Sequence, residues 1–96
     1  MNALTTDFDA LAQGAAFCAE WGGSFVLYTD GNPDDSYDTL EGVADAYADC
    51  WNDFASVKVM EFAPSGAATD VTAEVRGQIE EWCHSRFVAA PWGMSA

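Results

Sequence analysis

Positive charge is what this chain most lacks. Lys58, Arg76 and Arg86 are its only lysine or arginine residues, against 16 acidic ones, for a formal net charge of −13 over 96 residues. A protein that grips a phosphate backbone needs a basic stripe, and three scattered cations make none. Direct nucleic-acid binding is therefore excluded as an expectation, and so is attachment to an anionic membrane surface. Long apolar runs are missing as well. None approaches the roughly 20 residues that cross a bilayer. The opening Met1–Asp7 has neither a basic segment nor an apolar one, so no secretory signal is expected and the location expected is cytoplasmic. Cysteine is sparse and odd in number: Cys18, Cys50 and Cys83 lie far apart, which argues against a disulfide framework. Cys83 and the single histidine, His84, lack the paired ligand spacing of a zinc site, so no metal or cofactor is expected.

Catalytic patterns are scarce too. There is no Gly-rich phosphate loop and no nucleophile elbow. Cys83 and His84 are adjacent, and consecutive helical residues point about 100° apart, so adjacency does not pair a nucleophile with a base. Acids are so numerous that any two could be nominated as acid and base, which empties the nomination of content. The expectation is a protein that is not an enzyme.

What the chain does hold is apolar. Half of the residues are hydrophobic and 14% are aromatic, which separates it from disordered acidic tails. Its length suits one domain over residues 1–96, burying roughly two-thirds of the unfolded surface. Phe8, Leu11, Ala15 and Cys18 repeat at helical spacing after a candidate cap at Asp7, and Gly22-Gly23 ends the segment. A competing reading makes residues 16–21 a strand paired across that Gly-Gly turn. Ser24–Thr29 is rich in β-formers and reads as a strand, with Asp30–Tyr37 as a loop. Leu40, Val43, Tyr47, Trp51 and Phe54 make the apolar face of a helix capped by Asp38, with Glu41 at its N3 position and an end near Asp53. Ser56–Phe62 reads as a strand with Val57 and Val59 on one face and Lys58, Met60 and Phe62 on the other, both covered. A last helix begins at Asp70 or Thr72, with Val71, Val75, Ile79 and Trp82 on its face, extending to Phe87. The expected class is α+β: about three helices packed on a small sheet with two clear strands. The helix between those strands predicts a parallel crossover pairing. Two strands are thin for an independent domain. A third is expected near residues 16–21 or 66–71, or else the chain oligomerises; subunits paired through the apolar C-terminal tail would make a homodimer that gathers two acidic faces into one.

The acids have a pattern. Glu41, Asp45, Asp49 and Asp53 recur every four residues, a step that advances a helix by about 6 Å and turns it about 40° beyond a full turn. The row matches the roughly 6–7 Å between consecutive phosphates of one nucleic-acid strand. Like charges at this spacing cost a helix about 0.2–0.5 kcal/mol per pair. No Lys or Arg between Ser24 and Ala55 relieves them, and Asp34, Asp35 and Asp38 add to the same surface. The plain reading is a solvated acidic face that serves solubility, as in a halophile's proteins. The functional reading is a surface that occupies a basic nucleic-acid groove on another protein.

In size, acidity and arrangement of acids the chain resembles the small defence inhibitors encoded by phages and mobile elements, the anti-CRISPR proteins and antirestriction DNA mimics. The resemblance covers those general properties and no family motif. It implies a non-enzymatic inhibitor whose partner is a basic nucleic-acid-binding protein or complex, such as a CRISPR effector, met through Asp34, Asp35, Asp38, Glu41, Asp45, Asp49 and Asp53.

Two further features stand apart. Residues 30–41 place oxygen ligands at positions 1, 3, 5, 9 and 12 of an EF-hand-like loop, through Asp30, Asn32, Asp34, Asp38 and Glu41. Asp35 replaces the turn glycine at position 6, and Pro33 stiffens position 4. A turn leading into a capped helix explains the same residues without calcium. Residues 88–96 form an apolar C-terminal tail, within which Trp92 is expected to fold back onto the core rather than stand exposed.

Overall fold

The computed structural model describes residues 8–92. The α+β class is borne out, with three helices and a four-stranded antiparallel sheet among those residues. Helix α1 spans Phe8–Trp21, α2 spans Leu40–Cys50 and α3 spans Thr72–Ser85. The strands are β1 at Phe25–Thr29, β2 at Asn32–Tyr37, β3 at Val57–Phe62 and β4 at Ala68–Asp70, in spatial order β2-β1-β3-β4. Helix α1 packs on one face of the sheet, and α2 and α3 on the other.

Two expectations about the sheet are corrected. Residues 32–37 are a strand, not a loop, and β1 pairs with β3 antiparallel, not parallel. One turn causes both changes. Asp30 and Gly31 take φ of 51° and 86°, the doubly left-handed geometry of a two-residue hairpin turn whose twist matches that of the strands it joins. The Asp30 carboxylate also accepts from Ser56 N–H at 3.0 Å, while Asp30 N–H donates to Ser56 O at 2.8 Å, tying the turn to the start of β3. The expected crossover does exist, displaced by one strand. β2 and β3 each run antiparallel to β1, hence parallel to each other, and α2 joins them across it.

The alternation read in β3 survives intact. Val57 and Val59 enter a core with Leu27, Val43, Tyr47, Val75 and Ile79, while Met60 and Phe62 join Val26, Tyr28 and Ala10 beneath α1. The third strand falls at β4, within residues 66–71, whereas residues 16–21 belong to α1. α3 begins at Thr72, whose hydroxyl accepts from Val59 N–H at 3.0 Å. It stops at Ser85, short of Phe87, which is 97% exposed in a left-handed conformation. Asp7, the expected cap of α1, lies outside the described residues.

Gly14 looks like a flaw in α1 until the packing is seen. Tyr28, fully buried, donates from its hydroxyl to Ala10 O at 2.7 Å. A Cβ on Gly14 would collide with that hydroxyl and would stand 2.7 Å from Phe62 Cζ. Helix propensity favours alanine there by up to about 1 kcal/mol, but overpacking costs about 1–3 kcal/mol. Gly14→Ala is therefore expected to lower stability in urea unfolding, and an unchanged or higher midpoint would show that the contact is loose.

Candidate functional site: an acidic surface over strand β2 and helix α2

Strand β2 lies at one edge of the sheet. Its register against β1 slips between Leu27 and Tyr28, which oppose Asp35 and Pro33, so Asp34 is the extra, bulged residue. Proline cannot donate to a ladder, and edge strands with a bulge are where it is tolerated. Asp34 and Asp35 are both exposed, with Asp35 Oδ1 accepting from Ser36 N–H at 2.8 Å. Proline, a bulge and charge together also discourage another chain from pairing with this edge. That protection accounts for part of the acidity without any partner.

Helix α2 follows directly. Its cap is Thr39, not Asp38: the Thr39 hydroxyl accepts from Gly42 N–H at 3.0 Å, and Asp38 stands exposed beside it. Val43, Ala44 and Tyr47 are buried, which leaves Glu41, Asp45 and Asp49 exposed on the outer side. The regular helix stops at Cys50 rather than near Asp53, and Asp53 N–H reaches Cys50 O at 3.0 Å in the following turn. Phe54 is outside the helix and largely exposed. The row of acids is thus helical through Asp49, and its last member sits on a turn.

Every acid expected in the interface is exposed, but they do not form one even row. The charges of Asp34 on β2, Asp49 on α2 and Asp53 on the following turn all act on Cys50. Burial, then the charges of Asp34, Asp53 and Asp49, push the Cys50 thiol above its ordinary range. Tyr37 feels burial first, then Asp35, Asp34 and Cys50, and its phenol is raised as well. Asp38 and Glu41 lie at the other end of α2, with Asp45 between. Sequence reading missed Tyr37 and Cys50 as the residues around which the acids gather. The adjacency of Asp49 and Cys50 was visible, but the approach of Asp34 required the hairpin.

The EF-hand-like arrangement is not carried forward. Asn32 to Tyr37 form an extended strand paired with β1 rather than a loop wrapped around a centre, and Asp30 is bonded to Ser56. Among the described residues no group of three or more His, Cys, Asp or Glu is placed to hold a metal. The cysteines are divided between layers as well, Cys18 packing on the α1 side and Cys50 and Cys83 on the other. No helix among the described residues is long and apolar enough to cross a membrane.

Away from the acids, a cleft of about 350 Å³ opens between the end of α1 and the β3–β4 turn. Small residues line it, among them Ala15, Ala19 and Gly66, with Phe62 at its wall and Cys18, whose thiol burial raises. No member of the acidic surface lines this cleft. Comparison with protein-family models, curated proteins and solved structures gives no significant match to the chain.

The convergence on Cys50 has a measurable consequence. In a Cys18→Ser/Cys83→Ser background, alkylation of Cys50 is expected to have its pH midpoint above that of a cysteine in an unfolded peptide. Asp34→Asn should move it down. An unshifted profile in both proteins would mean that Asp34 does not approach the thiol.

Proposed function

We propose that the chain is a non-enzymatic acidic inhibitor, anti-CRISPR-like and of the DNA-mimic kind, that blocks a basic nucleic-acid-binding groove of a host defence complex. The observation that carries this reading is the gathering of exposed acids from two elements, Asp34 and Asp35 from β2 and Glu41, Asp45, Asp49 and Asp53 along and after α2.

The energetics support it. Asp49 and Asp53 stand at the negative end of the α2 dipole, where the last turn holds no basic residue. Acids there oppose the dipole and repel one another. A face that merely needed solubility would lose nothing by interspersing lysines. A face that must present uninterrupted negative charge to a basic groove cannot take them. Charge of this density would speed encounter with such a groove and reject anionic competitors. A phage-encoded chain acting in the bacterial cytoplasm is the setting this reading implies.

Charge reversal separates the functional face from the solvated one. Asp49→Lys is expected to stabilise the fold by a few tenths to about 1 kcal/mol, through relief of repulsion and of the dipole conflict. Urea unfolding reads this effect. The double reversal Asp45→Lys/Asp49→Lys should keep the circular dichroism of the wild type yet lose capture of basic nucleic-acid-binding complexes from a host lysate. Wild-type capture should weaken as salt rises, since screening shortens the reach of exposed charges. Full capture by the reversed protein would show that the face serves solubility alone.

A further inference from the structure

Beyond Ser85 the chain turns back over the helices. Arg86 and Phe87 N–H donate to Cys83 O and His84 O, both at 3.1 Å. Among the described residues the last backbone hydrogen bond of the chain runs from Val88 N–H to Cys83 O at 3.0 Å. Residues 86–89 are exposed, and Phe87 carries φ of 59° at a position where glycine is the usual occupant. After this exposed stretch, among the described residues, Ala90 is buried and Trp92 is held by its partners.

The recess that holds Trp92 is specific. Tyr47 of α2 and Trp51, which caps its end, meet its ring edge to face, with centroids 6.1 and 5.7 Å away and interplanar angles of 81° and 83°. The Arg76 guanidinium lies 4.3 Å from the ring centroid, held in place by donation to the Tyr47 hydroxyl at 3.2 Å. Glu80 accepts from the indole N–H at 2.9 Å. Each contact answers one property of an indole: its edges, its electron-rich face and its single donor. A phenyl ring would leave the Glu80 contact unmade.

We infer that this recess is an indole-binding site filled by the chain's own Trp92, and that the tail is a displaceable plug. A tryptophan presented from outside, on a partner protein, competes with Trp92 for Tyr47, Trp51, Arg76 and Glu80. The connection of Trp92 to α3 runs through exposed residues 86–89 and buries the small Ala90, so the plug can leave without unfolding the sheet, since local opening is cheapest where few apolar contacts are lost. This inference stands apart from the acidic surface and does not need it.

The test uses full-length Trp92→Ala and N-acetyl-tryptophanamide as the probe, followed by NMR shifts of Tyr47, Trp51, Arg76 and Glu80. Saturable binding is expected in the variant, weaker binding for N-acetyl-phenylalaninamide, and loss of both in Trp92→Ala/Arg76→Ala. In the wild type the probe should bind at least about tenfold more weakly, as for a site filled about nine-tenths of the time or more. A folded variant that binds nothing, or equal binding by both proteins, overturns the inference. So does a variant that cannot fold, because Trp92 would then be core and not plug. Hydrogen exchange of wild type supplies a second check: the Trp92 indole N–H should exchange well before the Val59 amide. Exchange of the two together would mean that the tail opens only with the whole protein, and the inference fails.

Discussion

The structure depends on the pairing of two strands that are apolar on both faces. Val26 and Tyr28 of β1 look one way and Leu27 the other. Across from them, Met60 and Phe62 of β3 match the first set and Val57 and Val59 the second. A strand pair of this kind cannot leave either side to water, so helices must cover both. α1 takes one face and α2 with α3 the other. This requirement also pushes polar residues to the rim. Strand β2, at the edge, carries Pro33, Asp34 and Asp35, and α2 turns its carboxylates away from the sheet because Val43, Ala44 and Tyr47 are needed beneath it.

The acidic surface is thus a by-product of layering in its position, though not in its intensity. Any helix on that face would point a polar side outward. Nothing in packing requires that side to hold Glu41, Asp45 and Asp49 with no cation among them, or the bulge of β2 to carry Asp34, whose charge acts on Cys50 at the end of the same helix. Repulsion and the dipole conflict at Asp49 and Asp53 act against the fold. Buried apolar contacts elsewhere offset them, including those at Gly14, where α1 is brought close enough to the sheet that only glycine fits.

Charge and aromatic packing also divide the molecule by region. Arg76, one of three Lys or Arg residues, is spent internally between Tyr47 and Trp92 and does not neutralise the acids of α2. Its contact with an aromatic face draws on the ring quadrupole, so the guanidinium is used where a carboxylate would do less. Exposed apolar residues such as Trp21, Phe54, Phe87 and Val88 sit at helix ends and turns, where the covering elements finish.

Hydrophobic periodicity determined much of this protein by itself. The faces of β3, the buried stripe of α2 apart from Phe54, the start of α3 and the exposure of every acid in the row follow from spacing, because period and burial are local properties read within one element. Strand direction did not follow, since it turns on whether residues 30–37 are loop or strand. Asp30-Gly31 is a strong hairpin signal, but Pro33 and two aspartates hid the strand behind it. Gly14 looked like a weakness because its reason is a tyrosine from another element. The joint effect of Asp34, Asp49 and Asp53 on Cys50, and the meeting of Trp92 with Arg76 and Glu80, were decided only by tertiary structure. Those contacts join residues distant in the chain, and their geometry exists only once the sheet has set where each element lies.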